Sequence, residues 1–234
     1  MDDFIGKALD IRRKVISYHF TTEQAHLGGS LSCVEILTVL YFHTLKTGDM
    51  FILSKGHAAS TLYVVLNDLG KIPDSVLFEL EEHPTLNKDY GIEATTGSLG
   101  HGLSIALGMA IADREKISYV LMGDGECDEG QIWEAARLAS ELEIVNLVAV
   151  VDCNGWQSLK KSDFKSLKKK FTAFGWQAEW CDGHDVYDLI EKVKPDRVKP
   201  KAILAKTIKG KGIVEMEDTL ESHYERLKKP IALP

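Results

Sequence analysis

The chain has 234 residues, of which 44% are hydrophobic, so we expect one domain over residues 1–234 with a sizeable core. Its formal net charge of −7 gives no reason to expect nucleic acid as a partner. No apolar run approaches the ~20 residues that span a bilayer, so no membrane partner is expected. The four cysteines form no closely spaced pair, which favours reduced thiols, and together these features predict a soluble, cytoplasmic protein.

Helix and strand patterns alternate along most of the chain. Apolar residues recur at helical spacing over residues 5–16 and 31–45, and a short apolar strand is predicted at 50–53. Further strands are predicted at 118–122, 146–151, 176–181 and 202–205, and further helices at 103–114, 132–142, 167–174 and 186–194. This alternation predicts an α/β fold, a doubly wound and mainly parallel sheet with helices on both faces. We expect the Pro-containing tail after Lys228 to be a loose end.

Polar residues follow two consecutive predicted strands. The first strand runs into GDGECDEG at residues 123–130, where four carboxylates would repel one another without a positive charge nearby. The second runs into DCNGW at residues 152–156. Because the carboxyl ends of parallel strands meet at one edge, we expect Asp124 and Asn154 to lie side by side. A carboxylate and an amide oxygen suit a hard cation such as Mg²⁺, completed by waters and phosphate oxygens, and the glycines let backbone N–H groups approach a diphosphate.

The pair GDG and DCNGW resembles the motif of thiamine diphosphate enzymes. In that motif the Asp, the Asn and the backbone carbonyl two residues after the Asn ligate the metal that grips the cofactor's diphosphate. The resemblance implies Asp124, Asn154 and Trp156 as ligands of Mg²⁺, or of Ca²⁺ or Mn²⁺, with Gly123 and Gly125 beside the cofactor. A Gly-Asp-Gly turn alone is common at strand ends, so the 30-residue spacing from Asp124 to Asn154 carries this inference.

Six further motifs resemble the amino-terminal part of a transketolase, in matching order. They are Ala25-His26-Leu27-Gly28-Gly29, Ser54-Lys55-Gly56-His57-Ala58, Glu82-His83-Pro84, the segment TTGSLGHG at 95–102, Gly183-His184-Asp185, and KTIKGKG at 206–212 followed by His223. The resemblance runs from about residue 10 to about residue 225, and its strength lies in the order of the matches. It implies the thiamine diphosphate-binding fold and, within it, the diphosphate-binding domain.

The eight histidines divide into two groups. Three are interpreted as ordinary surface or core residues: His19, His43 and His184. Five lie in loops beside glycine, proline or a matched motif: His26, His57, His83, His101 and His223. The resemblance places His57 and His223 near the diphosphate and thiazolium, and His26 and His83 near the sugar hydroxyls. His101 stands where the family usually has Gln, so it is predicted only to lie beside the cofactor.

The resemblance also assigns other site residues. Gly97 and Leu99 are implied cofactor neighbours, and Glu129 matches a glutamate that the family places at its subunit interface. The implied catalytic set is therefore His26, His57, His83, His223 and Glu129. Glu126 and Asp128 match no role, and we interpret them as favouring a helix N-terminus.

The implied reaction is transfer of a two-carbon ketol unit from a ketose or ketose phosphate to an aldose. Imidazoles with a pKa near neutrality can take and return the protons that this reaction moves. Enzymes of this family also use a pyrimidine-binding domain and a carboxy-terminal domain, for which these 234 residues hold no match. We therefore expect the N-terminal subunit of a split transketolase, active only with a partner chain in an α2β2 assembly.

Two other functions stay open at this point. One is a subunit of a thiamine diphosphate-dependent decarboxylase or synthase, which shares the GDG and Asn pair. The other is a non-catalytic, cofactor-binding regulatory subunit.

The substrates are open as well. The segment Ser158-Leu159-Lys160 stands where the family usually has Ile-Asp-Gly, so the sequence does not identify the donor and acceptor sugars. The choice between the pentose phosphate pathway and a dedicated sugar-biosynthetic role is open for the same reason.

Overall fold

A five-stranded parallel sheet forms the centre of the computed structural model, which describes residues 3–227. The strands are β1 (Met50–Leu53), β2 (Ser118–Gly123), β3 (Leu147–Cys153), β4 (Gln177–Asp182) and β5 (Lys201–Lys206). They lie in the order β1-β2-β3-β5-β4, and every neighbouring pair is parallel. All five carboxyl ends therefore meet at one edge of the sheet, and the five predicted strands are confirmed.

Helices cover both faces of the sheet. They are α1 (Phe4–Thr22), α2 (Leu27–Leu31), α3 (Val34–Val39), α4 (Ala59–Asp68), α5 (Asp74–Leu77), α6 (His101–Ala112), α7 (Gly130–Glu141), α8 (Leu167–Ala173) and α9 (Val186–Lys192). Alternate side chains of each strand point to opposite faces. Tyr119 and Leu121 of β2 pack with α1, α3, α4 and α9, whereas Val120 and Met122 pack with α6, α7 and α8. The predicted doubly wound α/β fold is confirmed.

Four helical regions differ from the prediction, and two of them are the short helices α2 and α5, which no sequence pattern indicated. The pattern over residues 31–45 is not one regular helix, because α3 passes into a π-helical turn, Leu40–Thr44, in which Leu45 N donates to Leu40 O at 2.8 Å. Helix α4 was not predicted at all. Every residue from Ala59 to Leu66 is buried, so this helix shows no polar face and gives no amphipathic period in the sequence.

Three predicted features concern the chain as a whole. Its four cysteines, Cys33, Cys127, Cys153 and Cys181, are buried and free. Over residues 3–227, no helix combines the length and the apolar character needed to cross a bilayer. The Pro-containing tail after Lys228 lies outside the described residues.

Candidate functional site

A cavity of about 340 Å³ lies at the carboxyl ends of β1, β2 and β3. Every predicted site residue except His101 lines it: His26, His57, His83, Gly97, Leu99, Gly123, Asp124, Gly125, Glu129, Asn154, Trp156 and His223. His101 is the exposed first residue of α6, and it follows Gly100, whose φ of 88° is in the left-handed region. The fold therefore brings residues that are up to about 200 positions apart around one cavity.

Asp124 and Asn154 sit at the ends of neighbouring strands. Gly123 of β2 lies opposite Asp152 of β3, and Asp124 N donates to Asp152 O at 3.1 Å. The Asp124 carboxylate is buried and accepts hydrogen bonds from Gly125 N at 2.9 Å and Gly155 N at 2.8 Å. Burial, and then the nearby charge of Asp152, raises the pKa of Asp124 to about 7. A cation beside this carboxylate would favour its ionised form.

Trp156 begins a tight hairpin beside the cavity. It forms an antiparallel bridge with Lys161, and Gln157 N donates to Lys160 O at 2.8 Å. Gly155 enters the hairpin with a φ of 80°, which a side chain would disfavour. The side-chain oxygen of Asn154 accepts from Trp156 N at 3.1 Å. The hairpin therefore holds the Trp156 backbone next to the Asn154 amide.

The donor atoms fit a hard divalent cation. Asp124 offers a carboxylate, Asn154 an amide oxygen and Trp156 a backbone carbonyl, and all three residues line the cavity. In the described part of the chain, no group of three or more His, Cys, Asp or Glu side chains is arranged to hold a metal ion. A set with one carboxylate needs further oxygen ligands, such as those of a diphosphate, to complete the coordination of Mg²⁺.

Four histidine rings cluster in the same cavity as these oxygen donors. The ring centroid of His26 lies 5.0 Å from that of His223, 5.6 Å from His57 and 6.1 Å from His83. Burial lowers the pKa of His26 despite its contact with Glu82, and it lowers the pKa of His57 well below the ordinary value. Burial, and then the charge of Lys209, lowers the pKa of His223 to about 3. These three imidazoles are therefore neutral at neutral pH.

Comparison with protein families identifies the chain. Residues 11–231 match the family described as transketolase, thiamine diphosphate binding domain. The chain belongs to the transketolase family. Its relatives include one of the subunits of the apulose-4-phosphate transketolase of Actinobacillus succinogenes, which is 38% identical over 96% of this chain and 91% of that protein. The 6-deoxy-6-sulfo-D-fructose transketolase subunit SqwG of a Clostridium species is also 38% identical, over 86% of this chain and 83% of that protein.

A solved transketolase shows the same fold. The transketolase from Leishmania mexicana superposes with a TM-score of 0.85 at 25% identity, and the match covers 95% of this chain but 39% of that one. The chain therefore corresponds to the thiamine diphosphate-binding part of a longer transketolase. These matches favour a transketolase over the decarboxylase, synthase and regulatory alternatives.

Three charged residues of this transketolase domain were not identified from the sequence. Lys55 and Asp152 form an ion pair at the floor of the cavity, and both are wholly buried. Burial is the largest single influence and lowers the pKa of Lys55, but the charge and hydrogen bond of Asp152, together with Cys33 and Asp124, make the net shift upward. Buried Lys209 places Nζ 3.3 Å from His223 Nδ1, and burial followed by Lys55 lowers its pKa to about 8. Both lysines belong to the matched motifs Ser-Lys-Gly and KTIKGKG, in which only the histidines and glycines stand out as candidates.

Glu126 has a different role from the predicted one. It does not sit in the first turn of α7 but in a short 3₁₀ turn, Gly125–Asp128, and it is buried. Its carboxylate accepts from Ser54 Oγ, from Gly100 N at 2.8 Å and from Gly123 N at 3.1 Å. Glu126 thus joins three loops of the site, while Asp128 accepts from Gln157 of the hairpin. Glu129 is exposed at the cavity rim, directly before α7.

The other three histidines have structural contacts. His19 is buried between Gln24 O at 3.0 Å and Ser60 Oγ at 2.7 Å. His43 packs edge-on against Phe4. His184 contacts Glu35 at 2.9 Å through Nδ1 and accepts from Ile208 N at 2.8 Å through Nε2, so it supports the segment that carries Lys209.

Asp218 is expected to hold the hairpin in place. Its Oδ1 accepts from Trp156 Nε1 at 2.7 Å, and it also contacts Lys161, whose Nζ lies 4.6 Å from the Trp156 ring centroid. Asp218→Ala should weaken cofactor binding by about fivefold, because one partly exposed hydrogen bond to a carboxylate is worth about 1 kcal/mol. Titration with thiamine diphosphate and Mg²⁺ measures this change. Lys160→Ala is the matched control on the same hairpin, and equal affinities of the two variants would contradict the role of Asp218.

Proposed function

We propose that the chain is the N-terminal subunit of a split thiamine diphosphate-dependent transketolase. It transfers a two-carbon ketol unit from a ketose or ketose phosphate to an aldose. The observation that carries this proposal is one cavity that is lined both by a cluster of four histidines and by the Asp124–Asn154 pair. Three relatives that match over most of their own length are named as subunits of sugar transketolases, which supports a sugar or sugar-phosphate substrate.

The cofactor would be held through a divalent cation. Asp124, the side-chain oxygen of Asn154 and the backbone carbonyl of Trp156 would ligate Mg²⁺, or Ca²⁺ or Mn²⁺, together with diphosphate oxygens. Backbone N–H groups near Gly123 and Gly125 and the cationic side chain of Lys209 would lie beside the diphosphate. Bound thiamine diphosphate supplies the carbanion chemistry that protein side chains lack.

His26 is placed to exchange protons with the substrate. Its Nδ1 lies 3.0 Å from Glu82 Oε1, and a carboxylate can only accept, so the Nδ1–H tautomer is favoured. Nε2 then remains as a base or hydrogen-bond acceptor on the other side of the ring. His83 lies beside His26 and Gly97, where a methyl group in place of the Gly97 hydrogen would come within 2.8 Å of the His83 ring. Gly97 therefore leaves room for His83 at the cavity.

A partner chain would complete the enzyme. We assign to it the pyrimidine-binding and carboxy-terminal domains, in an α2β2 assembly with two-fold symmetry. Helix α6 supports an interface beside the cavity: its twelve residues include no Asp, Glu, Lys or Arg, Ile111 is 41% exposed, and Gly108 faces open space. Glu129, exposed at the rim, would face the partner chain.

The four free, buried cysteines support a cytoplasmic location. Reduced thiols are usual where glutathione and thioredoxin keep the compartment reducing. We therefore propose a cytoplasmic location for this transketolase subunit.

Activity is expected only when the partner chain is present. The chain holds the diphosphate end of the cofactor, whereas the pyrimidine end needs the other domain, so the purified chain should show no ketol transfer. Mixed with its partner it should transfer a ketol unit from a ketose phosphate and leave pyruvate unchanged. Light scattering and coupled assays of the chain, the partner and their mixture measure both effects. Robust turnover by this polypeptide alone, or decarboxylation of pyruvate by the mixture, would contradict the proposal.

Glu129→Ala tests the interface in the same experiment. This change should weaken assembly or cofactor activation while leaving metal binding intact, since Glu129 is not among the proposed ligands. Glu115→Ala is the matched control, because Glu115 lies near the amino ends of the strands, away from the cavity. Identical assembly and identical turnover by both variants would contradict both expected roles of Glu129.

A further inference from the structure

Asp152 lies at the centre of a buried hydrogen-bond network beneath the cavity. One carboxylate oxygen, Oδ2, accepts from Lys55 Nζ, from Ser32 Oγ and from Asn154 Nδ2, the last at 3.2 Å. The other oxygen, Oδ1, accepts from Thr207 Oγ1. The carboxylate thus contacts the residues that follow β1, β3 and β5 as well as Ser32 after α2. None of these contacts requires Asp152 to touch the cofactor.

The network holds the Nδ2 end of the Asn154 amide, which leaves the oxygen, with one lone pair beyond its contact with Trp156 N, for a cation. Asn154 Nδ2 donates to Asp152 Oδ2 and, at 3.4 Å, to Ser32 Oγ. A carboxylate can only accept, so a flipped amide would place its oxygen against the oxygen of Asp152. The two ends of an amide have nearly the same shape, and sterics alone would not choose between them. Asp152 therefore fixes the Nδ2 end through charge and hydrogen bonding, and Trp156 N supports the same orientation by donating to Asn154 Oδ1 at 3.1 Å.

Lys55 holds Asp152 in this role. Its Nζ also donates to Gly29 O at 2.8 Å, so the ammonium group is anchored from two sides. The ion pair balances a charge that would otherwise be costly to bury. Asp152 can then remain an acceptor for Asn154 without adding an uncompensated carboxylate beside Asp124.

We propose that Asp152, anchored by Lys55, is a positioning residue that fixes the Asn154 side chain with its oxygen available to the cation. The inference rests on the proposed function, since the cation is the one that would hold thiamine diphosphate. Such residues behind a metal ligand commonly change metal affinity by about 10- to 100-fold when they are replaced. Asp152 is not assigned a contact with cofactor or substrate.

A purely structural role of Asp152 must be distinguished from the positioning role. Asp152 joins several elements, so its replacement can lower stability whether or not it orients Asn154. The substitution Asn154→Asp separates the two roles, because a carboxylate offers an oxygen in either orientation and needs no positioning. In the double variant Asp152→Asn/Asn154→Asp, the amide at 152 can donate to the carboxylate at 154, and the net charge is unchanged.

The experiment measures Mn²⁺ affinity by calorimetry on the full chain in the presence of thiamine diphosphate, with the melting temperature recorded for each variant. Asp152→Asn should weaken Mn²⁺ binding by about 10-fold or more. The double variant should recover affinity to within a few-fold of the original chain. Asp128→Asn removes the same charge at the rim of the same cavity without contacting Asn154, and it should change affinity by less than about threefold.

Three results would overturn the inference while leaving the proposed function intact. They are an unchanged affinity in Asp152→Asn, an equal loss in Asp128→Asn, and a double variant as weak as Asp152→Asn. Failure of the original chain to bind Mn²⁺ with thiamine diphosphate, alone and with its partner, would overturn both proposals. If Asp152→Asn does not fold, Ser32→Ala removes the second acceptor of the amide, and Asn154→Asp must again restore the lost affinity.

Discussion

Asp124→Ala is expected to abolish magnesium-dependent binding of thiamine diphosphate while the sheet remains folded. Asp124 supplies the only full charge among the three proposed ligands, so its loss leaves two neutral oxygens that hold a divalent cation weakly. The carboxylate also accepts from Gly125 N and Gly155 N, so we expect a stability loss of about 1–3 kcal/mol as well. Calorimetric titration of the assembled enzyme measures the affinity, and thermal unfolding measures the stability. Asn154→Ala should have the same effect in a milder form.

The pH dependence of metal binding gives an independent check on Asp124. Burial and the charge of Asp152 raise its pKa to about 7, and the metal binds only the carboxylate form. Below pH 7 a proton competes with the metal, so the apparent affinity should fall by roughly tenfold per pH unit, and above pH 7 it should level off. Asp128→Asn, which keeps an acceptor for Gln157, serves as the control at the cavity rim and should retain this profile. Unchanged affinity in Asp124→Ala would exclude Asp124 as a ligand.

His26→Ala and His83→Ala are expected to lose roughly 10²-fold or more in turnover while cofactor affinity stays within a few-fold. That loss is the usual scale for a group that transfers a proton. The Glu82 contact directs His26 Nε2 away from the carboxylate, and His83 lies next to it, so both rings can face a sugar's hydroxyls. Steady-state kinetics of the assembled enzyme, measured beside cofactor titration, separates the two effects.

His43→Ala is the control for the histidine variants. His43 packs on Phe4 in the π-helical turn, so its removal should leave both turnover and cofactor affinity close to their original values. Equal losses of turnover and affinity in His26→Ala or His83→Ala would mean that these rings bind the cofactor and do not handle the substrate. Full turnover in both variants would remove them from the mechanism.

The convergence of Asp124 and Asn154 was predictable because it follows from strand topology. Two neighbouring parallel strands, β2 and β3, end together, and polar residues directly after them must share one edge. The histidines could be placed only through their motifs, since the loops that carry His26, His83 and His223 have no periodic pattern. His101 matches a motif position and lies at the exposed start of α6, so its place beside the cofactor stays a prediction.

The buried charges were not predictable from the sequence. Lys55 and Asp152 are 97 residues apart, and each alone has the appearance of a solvated surface residue. Only their pairing makes burial possible, and a pairing at that separation depends on the complete fold. Helix α4 was missed for a related reason: burial on all sides removes the polar face on which the helical period depends.

Crystals grown with thiamine diphosphate and Mn²⁺, with the partner chain if needed, would test the central claim most directly through the anomalous scattering of manganese. The proposed site predicts a single strong peak in the cavity. It should lie about 2.0–2.6 Å from a carboxylate oxygen of Asp124, the side-chain oxygen of Asn154 and the backbone carbonyl of Trp156. Diphosphate oxygens should complete the coordination. Ordered thiamine diphosphate with the manganese peak on other residues, or with no peak at Asp124, would contradict the proposed site.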